Sequence, residues 1–181
     1  MNKKFLIGIL WFSYFIFLYS ILKIFFADVY YFYSQKDSNL GYSDKIIYSK
    51  KATRLNPNEP AYLLGKARVL LSVNVDLTES DKINALALID KAISLNDTNV
   101  VTLSNSIPLY AYLVDSFDVE YVDKTKIFYN QLKKNYSNDL GILVKIASYE
   151  RKLGLEDDYE DTLNQIEILR PDILNWHESF R

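Results

Sequence analysis

The sequence of 181 residues has no cysteine, one histidine, five glycines and four prolines, and its formal charge is only −2. Without cysteine there is no disulfide framework, thiolate metal site or cysteine nucleophile. With His177 alone, a histidine-based metal cluster is excluded and a Ser-His-Asp triad is disfavoured. The scattered glycines form neither G-x-x-x-x-G-K-[ST] nor G-x-G-x-x-G, so no phosphate-cradling loop is present. A near-neutral balance gives nucleic-acid binding no support.

The average hides two unlike regions. Residues 1–27 carry Lys3, Lys4 and Lys23 and no acid, which leaves residues 28–181 with 18 basic and 23 acidic side chains. Between Phe5 and Ala27 stand 23 residues, all apolar except one glycine, Ser13, Ser20, two tyrosines and Lys23. A helix rising about 1.5 Å per residue needs roughly 20 residues to cross a hydrocarbon core of about 30 Å. Lys23 lies about one turn from the end, where it can snorkel to the headgroups. Trp11 adds an amphipathic anchor, and Tyr30, Tyr31 and Tyr33 fall where an aromatic belt is expected.

A cleaved signal peptide has a shorter apolar region and a site of small residues, whereas bulky residues follow this run. A buried core helix, apolar all round at this length, is more than so small a domain can cover. The residues therefore favour an uncleaved signal anchor. Neither Gly at position 2 nor any cysteine offers a lipidation signal. Lys3 and Lys4 abut the span, while the 20 residues after Ala27 hold only Lys36 and Lys45, so the expected orientation is N-terminus cytoplasmic and C-terminus outside.

Beyond Asp28 no stretch alternates apolar and polar residues for long, and apolar residues recur three and four apart. Ala85, Leu86, Ile89, Ala92, Ile93 and Leu95 form one stripe, and Ile142, Ile146, Tyr149 and Leu153 another. Thr78 with Asp81 makes a capping-box variant, Asn138 or Asp139 can cap the helix from Leu140, and Gly154 suits a left-handed C-terminal position. The expected fold is all-α.

Helix endings recur. Ala52, Leu55, Asn56 and Pro57 are matched forty residues later by Ala92, Leu95, Asn96 and Asp97, and again by Ile166, Leu169 and Pro171. A further helical run follows each, over 60–72, 100–115 and the 172–181 tail. Such recurrence is tested first as a repeat array. The pattern resembles the tetratricopeptide repeat, a helical hairpin ending in a small residue with proline five positions on. The resemblance covers residues 42–173 and implies an α-solenoid of three to four hairpins, with a generic helical bundle as the plain alternative.

The last unit, about 140–173, sets Leu143, Ile146 and Ala147 on its first helix, Gly154 at the turn, and Tyr159, Leu163 and Ile166 on its second. It departs from the family pattern at Tyr159 and Ile166, which replace alanines. The unit near Pro60 carries Leu63, Ala67 and Leu70, then Ala85, Ile89 and Ala92, with an inter-helix loop (73–81) too long for the family. In the unit at 100–139, Pro108 should kink the first helix, and Ile127, Phe128 and Leu132 should point inward from the second. The first unit has a second helix near 42–55; counting back puts its first helix near 26–36, on the end of the membrane span. Two arrangements stay open: a transmembrane helix running on into the first repeat, or a separate juxtamembrane segment at 28–41.

Acidic residues cluster at Glu156, Asp157, Asp158, Glu160 and Asp161, without the glycine of a calcium loop. A helix N-terminus explains them better. His177 and Glu178, beside Trp176 in a C-terminal capping tail at 174–181, make a weak metal candidate. Two N-x-[ST] triplets, at Asn96 and Asn135, matter only in a eukaryotic secretory setting. No nucleophile has a visible base. Neither an enzyme nor a cofactor, metal or small-molecule substrate is expected.

What remains is binding. In the repeat family the first helices line a concave face that holds peptides, which makes Tyr62, Arg68, Tyr110, Tyr112, Tyr149 and Arg151 candidates for contact with a protein partner. A composition rich in Asn, Lys, Ile and Tyr suits a bacterium, hence a periplasmic domain on the inner membrane. The setting would be envelope biogenesis, secretion, or surface-glycan or pilus assembly. The alternative is an accessory subunit of an integral membrane complex, held through its aromatic span, where Ser13 and Ser20 lie seven apart on one face.

Overall fold

The computed structural model describes residues 3–36, 40–72, 77–114 and 119–172. Among them are eight α-helices and no strand. The chain divides into two compact units, Met1–Leu95 and Asn96–Arg181. Unit 1 contains α1 (Lys3–Lys36), α2 (Tyr42–Leu55), α3 (Pro60–Leu71) and α4 (Glu79–Leu95); unit 2 contains α5 (Val100–Leu113), α6 (Val119–Asn135), α7 (Leu140–Lys152) and α8 (Glu156–Leu169). Residues 1 and 2 of the expected cytoplasmic tail (1–4), part of the 73–81 loop, and the 174–181 tail with Trp176, His177 and Glu178 lie outside the described residues.

Helix boundaries follow local chemistry. Thr78 Oγ1 accepts the Asp81 amide at 3.2 Å and donates to Asp81 Oδ2 at 2.6 Å, a reciprocal cap for α4. Asn99 and Asp139 accept the amides of Thr102 and Ile142 at 3.0 and 3.1 Å, capping α5 and α7. Pro60 occupies the first turn of α3, where a missing N–H costs nothing. At the end of α7, Gly154 takes φ +68°, and the Leu155 amide returns to the Glu150 carbonyl at 3.0 Å. Helix α5 continues through Pro108 to Leu113.

Helix α1 is the longest element, 34 residues without a break, or about 51 Å. No glycine or proline stands between Gly8 and Gly41 to interrupt it. From Ile7 to Phe26 every side chain is exposed except the half-buried Lys23; at Ala27 burial is complete. The exposed stretch of 20 residues is about 30 Å long, the thickness of a hydrocarbon core. One helix is thus long and apolar enough to span a membrane.

After Phe26 the same helix packs against the other helices of unit 1. Its last turns pack against both α2 and α3. Ala27, Ala52 and Tyr62 form the seam, flanked by Tyr30, Tyr31 and Leu55. Small residues at 27 and 52 bring the backbones of α1 and α2 close, and tyrosines fill the space beside them. Tyr30 stacks on Tyr48 at 5.9 Å, and Tyr31 meets Tyr62 at 5.2 Å. Gly65 is required on α3: a Cβ there would overlap the Tyr31 ring and sit 3.1 Å from Gln35 Nε2. Gln35 Nε2 donates to the Gly65 carbonyl at 3.0 Å, a second tie between α1 and α3. Of the three tyrosines expected in an aromatic belt, Tyr30 and Tyr31 are half-buried in this seam and Tyr33 is exposed.

The α3–α4 hairpin buries Leu63, Ala67 and Leu70 against Ala85, Ile89 and Ala92. In unit 2, α5 packs on α6 and α7, and α7 on α8. Leu143, Ala147, Tyr159 and Ile166 make one core cluster there, with Leu163 partly buried against it. On α6 the buried face is Tyr121, Thr125, Phe128, Tyr129 and Leu132. Ile127, expected inward, is 68 % exposed because that three-and-four spacing leaves it off the face. Glu156, Asp157 and Asp158 occupy the first turn of α8, where the helix dipole favours them, and Asp158 also pairs with Lys126 at 2.8 Å.

Candidate functional site

Two of the six residues beyond the apolar run with a binding expectation come together on the surface of unit 2. Tyr112, near the end of α5, is 47 % exposed, and its ring meets that of half-buried Tyr149 on α7 edge-on, with centroids 6.3 Å apart. Lys152 lies one turn further along α7 and holds its Nζ 4.7 Å from the centroid of the Tyr149 ring. Along the same pair of helices, Lys145 Nζ donates to Ser104 Oγ at 3.1 Å. The outcome is a surface with two adjoining aromatic rings, two amines and hydroxyls. Such groups combine apolar area with polar termini, as protein interfaces require.

Behind this surface sits a buried ion pair that holds α7 in place. Glu150 is 1 % exposed. Its Oε1 receives Lys133 Nζ from α6 at 2.9 Å, and its Oε2 receives the Thr162 hydroxyl from α8 at 2.7 Å. One carboxylate therefore ties three helices together, and Tyr149 precedes it in the chain. Burial pushes the Glu150 carboxyl above its ordinary range, while the Thr162 and Lys133 hydrogen bonds pull it back. Nearby, Tyr129 donates to the Ile107 carbonyl at 2.8 Å, and burial together with the Glu150 charge raises its phenol well above the usual value. Sequence reasoning missed this network. Its signal was present: Glu150 falls in step with Ile142, Leu143, Ile146 and Ala147 on the apolar face of α7, where an unpaired charge could not stay.

The other expected contacts lie elsewhere. Tyr62 is 4 % exposed and belongs to the unit 1 core, with its hydroxyl donating to Asp28 Oδ1 on α1. Burial, then that hydrogen bond, raises the Tyr62 phenol well above its ordinary value. Tyr110 is 7 % exposed and stacks on Phe128 with centroids 4.2 Å apart. Both are core residues, a correction to their expected role: each ring fills an inter-helix gap and offers no surface to a partner. Arg68 is exposed on α3. Arg151 is exposed on α7 but stands about 200° around the helix from Tyr149, so it does not share that face.

In the apolar stretch of α1, Ser13 and Ser20 are exposed, and Ser20 Oγ donates to the Ile16 carbonyl at 2.9 Å within the helix. They continue a seven-residue spacing through Ala27 and Ser34, both buried in unit 1. Among the described residues, no group of three or more His, Asp or Glu side chains is arranged to hold a metal ion. No family model matches the chain, and no curated protein is similar to it. The functional reading therefore rests on residues and geometry alone.

Proposed function

We propose that the chain is a single-pass membrane-anchored scaffold whose helical units are tetratricopeptide-like hairpins binding a protein partner on the extracytoplasmic side of a bacterial inner membrane. The observation that carries this reading is helix α1, exposed over the thickness of a bilayer and then buried, without a break, against α2 and α3. An anchor joined in this way holds unit 1 at a set distance and angle from the membrane, which a flexible tether would not do. The repeat resemblance is supported within unit 1 by successive hairpins, α1 with α2 and α3 with α4, and by the additional contact of α1 with α3. Small residues at the crossings (Gly65, Ala67, Ala85 and Ala92) agree with it. The Tyr112–Tyr149 face supplies the partner surface.

Two experiments test the proposal. A reporter fused after Arg181 is active outside the cytoplasm if the orientation holds; activity only inside contradicts it. A benzophenone side chain at Tyr112 crosslinks in intact membranes to a discrete protein, whereas one at Ile168, 83 % exposed on α8, does not. Equal crosslinking at both positions would contradict a dedicated face.

A second reading is favoured by one observation: the Ala27–Ser34 line that seats neighbouring helices in unit 1 continues into the bilayer stretch as Ser20 and Ser13. Small residues let transmembrane helices approach closely. In this reading α1 is the main contact with a larger membrane complex. Exchange of residues 7–26 for an unrelated span, leaving Ala27 in place, separates the two: partner crosslinks kept at Tyr112 exclude the membrane contact as the main one.

A further inference from the structure

Unit 1 carries an open groove of about 750 Å³ between α2, α3 and α4. Its apolar lining includes Ile46 and Ile47 from α2, Leu70 from α3 and Leu88 from α4, and Ile47 is 48 % exposed. The charged lining is uneven. Lys50, Lys66 and Lys91 contribute three positive charges against Asp81 alone. Lys50 is close enough for its charge to act on Lys66. Burial, reinforced by Lys50, lowers the ammonium pKa of Lys66. Among the described residues neither lysine has an ion-pair partner. A half-buried ammonium beside a second one, neither paired with an acid among the described residues, favours an anionic group between them.

The charges are also arranged along the groove. Helices α2 and α4 both pair with α3, and both carry lysine in their C-terminal halves, at Lys50 and Lys91. The opposite end holds Tyr42, at the start of α2, and Asp81, whose charge acts on the Tyr42 phenol. Eight residues separate Tyr42 from Lys50 and ten separate Asp81 from Lys91, or about 12–15 Å of helix. The groove thus has a basic end, an apolar middle and an acidic end, over the length of two to three helical turns.

We infer that this groove receives an amphipathic helical segment of a partner protein, with acidic side chains against Lys50 and Lys66 and apolar side chains on Ile46, Ile47, Leu70 and Leu88. Helices dock in such grooves through apolar residues at three-and-four spacing, and flanking charges set their direction. An anionic lipid fits less well. Ala52 packs on Ala27, where α1 leaves its exposed stretch, and Ile46 and Ile47 lie about 8–9 Å further along α2. A lipid tail on those residues would run away from the bilayer. The groove is distinct from the Tyr112–Tyr149 face, and the two can succeed or fail separately.

The test uses the full chain in nanodiscs and two labelled, capped helical peptides of about three turns. Both carry leucines at three-and-four spacing; one has a glutamate pair at one end, and the other has lysines there instead. The expected result, read by anisotropy, is a preference of about tenfold or more for the acidic peptide. The preference weakens with salt, reverses in Lys50→Glu/Lys66→Glu, and disappears in Lys50→Gln/Lys66→Gln, which guards against misfolding of the charge-reversed variant. Failure of both peptides to bind at millimolar concentration would overturn the inference, as would an unchanged preference in both variants. It would also be overturned if the variants lost only binding to vesicles containing phosphatidylglycerol.

Discussion

The two units solve the same packing problem with different chemistry. In unit 1, α1 is held against α2 and α3 by small residues and rings: Ala27 on Ala52, the Tyr31 ring over Gly65, and one hydroxyl–carboxylate bond from Tyr62 to Asp28. Unit 2 instead joins α6, α7 and α8 through the buried Lys133–Glu150–Thr162 network. Asp28 is open to water, whereas Glu150 is 1 % exposed. Polar ties in unit 1 thus sit at the edge of an apolar seam, and those in unit 2 sit within the core. Loss of a partner is therefore mild in the first case and severe in the second.

The largest effect is expected in unit 2. Replacement Glu150→Ala leaves Lys133 buried and unpaired, and should destabilise the unit by about 3–5 kcal/mol in denaturant melts. The double change Lys133→Met/Glu150→Met removes both charges and should recover most of that loss. Failure to recover would mean that packing, and not the unpaired charge, causes the damage.

Unit 1 should respond most to volume. Gly65→Ala forces a methyl group into the Tyr31 ring and should cost about 1–3 kcal/mol, with the loss read from the α1–α3 seam by amide exchange. Tyr62→Phe should cost about 1 kcal/mol, since Asp28 regains water when its donor is removed. A loss as large as that of Glu150→Ala would erase the distinction between the units.

A pH dependence sharpens the same comparison. Because the folded-state carboxyl of Glu150 titrates above its ordinary value of 4.5, its contribution is fully present below that value and is lost as pH rises through the folded one. The groups acting on it are Thr162, Lys133 and Asp158. The melting-temperature advantage of the wild type over Glu150→Gln should therefore shrink as pH rises above about 4.5. A widening gap would reverse the sign assigned to burial. The smallest stability effect belongs to Tyr112→Ala, within about 0.5 kcal/mol, because the residue is on the surface.

Much of this architecture was legible in the sequence. Three-and-four spacing and the caps at Thr78, Asp139 and Gly154 located the helices, because helix ends are set by residues next to them in the chain. Facing was less legible. Tyr62 and Tyr110 have the same spacing whether they line a groove or fill a core, and Asp28, the partner of Tyr62, is 34 positions away. Ile127 shows the converse, an apolar residue left outside. The continuity of α1 was written as an absence, with no glycine or proline from Ile9 to Leu40, but an absence of breaks does not distinguish a helix that continues from one that stops. Tertiary packing of Ala27 and Ser34 decides it.

Continuity of α1 from its exposed apolar stretch into its packed last turns is the central claim, and the lack of native cysteine makes it directly measurable. Single cysteines placed in turn from Phe17 to Lys36 and spin-labelled in nanodiscs report both mobility and contact with lipid-soluble oxygen. The account predicts ordered spectra throughout, lipid contact around the whole helix up to Phe26, and protection recurring at 27, 30, 31 and 34 with helical spacing. A run of mobile labels between Ile24 and Tyr30, or a loss of that spacing there, would contradict it.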